Sequence, residues 1–163
     1  MPNWYYVAVS FLYNASLAIW LGGALMLGAV AAPAIFETSE SRSRAGATFG
    51  EILRRFSIVR VAALVVIILS AATKFFVWES NLTPLSGAAL WLAVRWLAIV
   101  AMAAILLYEL FYLRRVMDQR RAKMSEAHEE GERARFEFQR LHHRAESLMK
   151  GAIVASAVAL LLN

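Results

Sequence analysis

The sequence predicts an all-α integral membrane protein, a four-helix bundle with a cytoplasmic helical hairpin between helices three and four. Three observations carry this. The chain of 163 residues is 60% apolar, with mean hydropathy +0.54, where soluble domains average about 45–50% apolar. The apolar residues gather into runs matching the roughly 20 residues that cross a bilayer core. The Lys and Arg residues stand beside those runs, as the positive-inside rule and anionic lipid require. The net charge of +5 therefore points to a membrane surface and not to nucleic acid. With no Cys present, disulfides, thiolate metal sites and Cys nucleophiles are excluded. The whole chain, 1–163, reads as a single membrane domain.

Helix one is expected over about residues 5–35. It is free of charge from Asn14 to Phe36 and opens on Trp4, Tyr5 and Tyr6, an interfacial aromatic belt. Gly22 and Gly23 precede Ala24, Gly28 and Ala32, whose spacing of four makes a small-residue stripe for close helix packing. Ala29-Val30-Ala31 imitates a signal-peptide cleavage site, but no Lys or Arg precedes the run, so the segment is expected to stay. The next segment is basic, with Arg42, Arg44, Arg54 and Arg55. Ala47, Phe49, Ile52, Leu53 and Phe56 recur near helical spacing, which predicts an amphipathic helix over 44–56 lying at the interface.

Helix two is expected over 58–78 and ends in Phe75, Phe76 and Trp78. A turn over 79–87 contains Pro84 and Gly87 but no Lys or Arg. Helix three, 88–113, carries Trp91 and Trp96 at one end and Tyr108, Phe111 and Tyr112 at the other. The charged block 114–146 has two apolar rows that meet at Gly131. They predict an antiparallel helical hairpin projecting about 20–25 Å. Helix four, 147–162, covers about 24 Å of a core about 30 Å thick. Either the bilayer thins around it, or it stops below the far surface. Gly151 and Ala155 give it a small-xxx-small face. Because the basic segments belong in the cytoplasm, the N- and C-termini are expected outside a bacterial-type inner membrane.

Ionisable residues inside apolar runs are functional candidates by default. Arg60 and Glu109 both sit just inside the cytoplasmic boundary, where a structural ion pair is expected. Lys74 and Arg95 lie toward the outer surface, within snorkelling reach of the headgroups. Two other roles are open to them: an anion site, or a meeting with the terminal carboxylate of Asn163. Lys150 is expected to snorkel at the start of helix four.

No catalytic pattern is found: no His-Glu-x-x-His, no Gly-x-Ser-x-Gly and no phosphate loop. No enzyme and no cofactor is expected. Adjacent His142 and His143 point about 100° apart on a helix. With Met149 they form at most a soft copper(I) site, and Met at heptad positions is more often core. An intramembrane His pair for haem is missing.

Trp20-Leu-Gly-Gly, followed by Ala31-Ala-Pro-Ala-Ile-Phe36 and Arg44-Ala-Gly46, resembles the transmembrane protein 205-like family (domain of unknown function 4149). Tyr112-Leu-Arg-Arg-Val-Met117 and Phe138-Gln-Arg-Leu-His142 are similar to that family's segments after helix three and before helix four. The helix-one pattern is also similar to copper-resistance membrane proteins of the CopD type. The resemblance implies four helices and no particular reaction. The residues lead to the expectation of a scaffold or accessory subunit, packed against other membrane subunits or in a homo-oligomer. The alternative is a copper-type tolerance or small-solute transport factor.

Overall fold

A computed structural model describes residues 3–80, 87–113, 115–116, 119 and 128–162. All regular structure among them is helical. Helix α1 (Asn3–Met26) passes through a π-helical turn (Leu27–Ala31) into α2 (Ala32–Thr38). Pro33 is the cause. It has no N–H, and its ring crowds the carbonyl one turn back. Widening the turn relieves the crowding, and the Ala32 N–H donates to the Leu27 carbonyl, five residues earlier.

The chain reverses at Ser39–Ser41. The Thr38 and Ser39 hydroxyls donate to the Ala34 and Ile35 carbonyls at 2.7 and 2.6 Å, satisfying acceptors at the helix end. Ser41 is extended and accepts the Arg44 N–H at 3.3 Å, so it is the N-cap of α3 (Arg42–Lys74). A π-turn (Phe75–Glu79) closes α3, another (Glu109–Leu113) closes α4 (Gly87–Tyr108), and α5 spans His128–Leu161. Among the described residues, three helices are long and apolar enough to cross a membrane: Asn3–Thr38, Arg44–Glu79 and Ala89–Leu113.

Two expectations are corrected. The segment 44–56 is not a separate interfacial helix, because α3 runs unbroken for 33 residues. No Pro interrupts it. Glu51 pairs with Arg54 at 2.7 Å and Arg55 at 2.9 Å, supporting the solvated face. At 1.5 Å per residue α3 is about 50 Å long, so its charged end overshoots a 30 Å core by about 20 Å. Gly131 is not a hairpin turn either. The last helix begins at His128, passes through Gly131, and continues for 34 residues, so helix four is far longer than 147–162. A lone Gly costs an α-helix only about 1 kcal/mol, which the residues on either side outweigh. The first expected hairpin arm falls largely outside the described residues. The tight helical reversal that is described lies at Ser39–Ser41.

One core joins α1, α3, α4 and α5. On α1 it is lined by Tyr13, Leu17 and Trp20, and buried Ala24 and, in the π-turn, Leu27 continue the row at steps of four and three. Leu64, Ile67 and Ala71 face it from α3, Ile99, Met102 and Leu106 from α4, and Ala159 from α5. This spacing is what near-antiparallel helices interleave.

Candidate functional site

The ionisable side chains that reach the interior form two clusters, one toward each end of the core; Lys74 and Arg95 are buried, and Arg60, Glu79 and Glu109 are half-buried. At the charged end, Arg60 of α3 donates to Glu109 at 2.6 Å, the pair anticipated from their depths. The Arg60 guanidinium also lies 5.7 Å from the Trp20 ring and 5.8 Å from the Phe56 ring. Three elements are thereby cross-braced by one cation. Glu109 opens the π-turn that follows α4.

At the opposite end, Lys74 and Arg95 are 2% and 3% exposed. They face the interior and do not snorkel. Arg95 makes a bidentate ion pair with Glu79, which closes the π-turn after α3. Lys74 Nζ lies 5.4 Å from the Tyr6 ring and 5.6 Å from the Tyr13 ring. Tyr13, fully buried, donates its hydroxyl to the Ala159 carbonyl at 3.2 Å. That carbonyl belongs to the last turn of α5, where acceptors lack helical partners and the dipole is negative. A helix C-terminus and one carboxylate thus face two cations. Trp78 closes this end, with ring centroids 5.6 Å from Tyr5 and 5.1 Å from Tyr6. Asn163 lies outside the described residues.

The end of α5 therefore sits level with Tyr13. Seven residues, about 10 Å, separate Tyr13 from the aromatic belt at Tyr6.

Among the small residues, a Cβ at Gly23 would collide with the Phe56 ring. One at Gly28 would lie 3.2 Å from the Met149 methyl, and one at Gly151 would lie 3.7 Å from Ile105. Ala24 is buried, Ala32 is half-buried, and Ala155 packs on the core. Gly22 meets nothing within 4 Å. The stripe on helix one is largely occupied by the protein's own helices.

Met149 packs toward Gly28, whereas His143 is exposed and lies 3.8 Å from Glu146. These two do not converge on one point. The His142 side chain is outside the described residues. Among the described residues no three of His, Cys, Asp and Glu are grouped to hold a metal ion. Lys150 is exposed and bonds Glu146 at 2.8 Å.

Sequence reasoning missed the Tyr13–Ala159 bond and the Arg95–Glu79 pair. A buried phenol in a charge-free helix requires a hydrogen-bond acceptor, and that was the available signal for the first. Glu79 and Arg95 flank a turn, so their meeting depends on how the two helices close.

No curated protein and no solved structure matches the chain. A family model does match residues 15–126. The matched range contains the ionisable residues of the two interior clusters, Arg60, Lys74, Glu79, Arg95 and Glu109, and the Trp20, Pro33 and Tyr112 motifs. Phe138-Gln-Arg-Leu-His142 falls beyond it. The chain belongs to the family described as Domain of unknown function (DUF4149).

Proposed function

We propose that this protein is a non-enzymatic scaffold or accessory subunit of a bacterial-type inner membrane. Its four helices form a bundle with both termini outside, and its charged end docks onto a larger membrane complex. The observation that supports this reading best is the unbroken extension of α3 and α5 past their apolar segments. From Gly151 onward α5 offers about 17 Å of apolar helix, and its preceding charged part is about 35 Å long. Such arms present a rigid, charged surface at the membrane face. The interior charges, meanwhile, are engaged in bracing helices against one another. Kinship with transmembrane protein 205-like proteins, and more distantly with the CopD type, belongs to the same proposal and rests on the helix-one and helix-three motifs.

The test is mild extraction of the tagged protein from native membranes after cross-linking. A membrane protein recovered in stoichiometric amount, with cross-links to residues 42–55 or 128–150, is the expected result. Recovery of the chain alone, without cross-links, would sink the proposal. Stoichiometric copper in the same preparation would favour the metal-handling alternative instead.

A further inference from the structure

At the charged end, α4 and α5 leave between them an open groove of about 550 Å³, lined by Tyr108, His143, Arg144, Ser147 and Leu148. Its position along both helices is the boundary between apolar and charged sequence. Tyr108 stacks on Tyr112 at 5.1 Å, an aromatic pair of the kind that marks a headgroup layer. On α5, Lys150 and Glu146 lie just beyond it.

The basic side chains around the groove differ in one respect. Glu146 is shared by Lys150 at 2.8 Å and His143 at 3.8 Å. Arg144, exposed in the groove wall, has no ion-pair partner among the described residues, and neither has Arg140 one turn away. Two like charges at this i,i+4 spacing repel each other, and an anion beside them relieves that repulsion. The Tyr108 hydroxyl also has no hydrogen-bond partner among the described residues. Ser147 is different, since its hydroxyl already donates to the His143 carbonyl at 3.0 Å. The groove thus offers a guanidinium and a phenol as donors, with an apolar wall at Leu148.

We propose that this groove binds an anionic phospholipid of the adjoining leaflet. Arg144 and Tyr108 donate to its phosphate, and an acyl chain lies along Leu148. Basic pockets between membrane helices on the cytoplasmic side recognise such headgroups. A zwitterionic lipid carries the same phosphate with a compensating cation, so it gains less from Arg144 and Arg140. The proposal goes beyond the scaffold reading and does not depend on a protein partner.

The experiment is native mass spectrometry of the full chain in mild detergent, offered equal dioleoylphosphatidylglycerol and dioleoylphosphatidylcholine. Phosphatidylglycerol should be retained preferentially. Arg144→Gln should lower its occupancy about fivefold, and Tyr108→Phe should lower it less. Arg42→Gln removes the same charge from an exposed position on α3 and should change nothing. Equal retention of both lipids would overturn the proposal, as would equal losses in the Arg144 and Arg42 variants. Displacement by inorganic phosphate would assign the site to free phosphate and overturn the lipid reading as well. Because Arg144 and Tyr108 are exposed, an unchanged size-exclusion profile is expected and separates binding from folding.

Discussion

Arg60 shows why single residues matter in this interior. It is braced by one carboxylate and two rings, and removing the carboxylate strands a half-buried cation. Glu109→Ala should therefore cost about 3 kcal/mol. The double variant Arg60→Met/Glu109→Leu should recover most of that, as read by thermal unfolding in detergent. A double variant no more stable than Glu109→Ala would show that the pair is not the source of the cost. Tyr13→Phe deletes one bond to the α5 terminus and should cost about 1 kcal/mol. The two adjacent glycines make a sharper contrast. Gly23→Ala drives a methyl into the Phe56 ring, which itself packs on Arg60, at a cost of about 1–3 kcal/mol. Gly22→Ala meets open space and should be neutral or stabilising by up to about 1 kcal/mol. Equal effects of the two substitutions would refute this account of the stripe.

At the scale of elements, the three π-turns among the described residues share a place in the architecture. Each closes an α-helical segment, and two of them carry the carboxylates that pair with Arg60 and Arg95. The third follows from Pro33 and sets the rotation of α2, which brings Phe36 to Phe49 with centroids 6.4 Å apart. Pro33→Ala should allow ordinary α-helical bonding, turning α2 by about 100° for the residue absorbed. The chain has no Cys, so a Phe36→Cys/Phe49→Cys pair reports this contact alone. Its cross-linking by a short bifunctional thiol reagent should drop markedly when Pro33→Ala is added. An unchanged yield would mean that Pro33 does not set the rotation.

For the whole molecule, the proposed orientation places the Ser39–Ser41 reversal inside and Ser80 outside. Glu37 and Ser80 are both exposed. In intact cells an impermeant maleimide should label Ser80→Cys, and it should label Glu37→Cys only after lysis. The opposite pattern would invert the topology. Much of this architecture was legible in the chain. The apolar runs located α1, α3 and α4, and the similar depths of Arg60 and Glu109 anticipated their pairing. The interfacial helix was misread because the apolar spacing of Phe49, Ile52, Leu53 and Phe56 fits a surface helix and the start of a longer one equally well. Periodicity reports which face is apolar; it does not report whether a helix bends at its boundary. Gly131 misled for a related reason, since a Gly permits a turn without requiring one.

By itself the sequence determined the class of the molecule. Run length and charge placement follow from transfer free energies that each segment carries independently of the others. The Pro33 distortion is local in the same sense, because one ring and one missing N–H cause it. Only the tertiary structure decided the fate of Lys74 and Arg95. Either can reach a headgroup as an isolated helix residue, and their burial required Glu79, the aromatic closure of Tyr5, Tyr6 and Trp78, and the terminus of α5 to converge. These partners come from separate helices, so no local pattern encodes the meeting. The same holds for the groove beside Arg144. Its phenol and guanidinium belong to different helices, and they face one space only after α4 and α5 have packed.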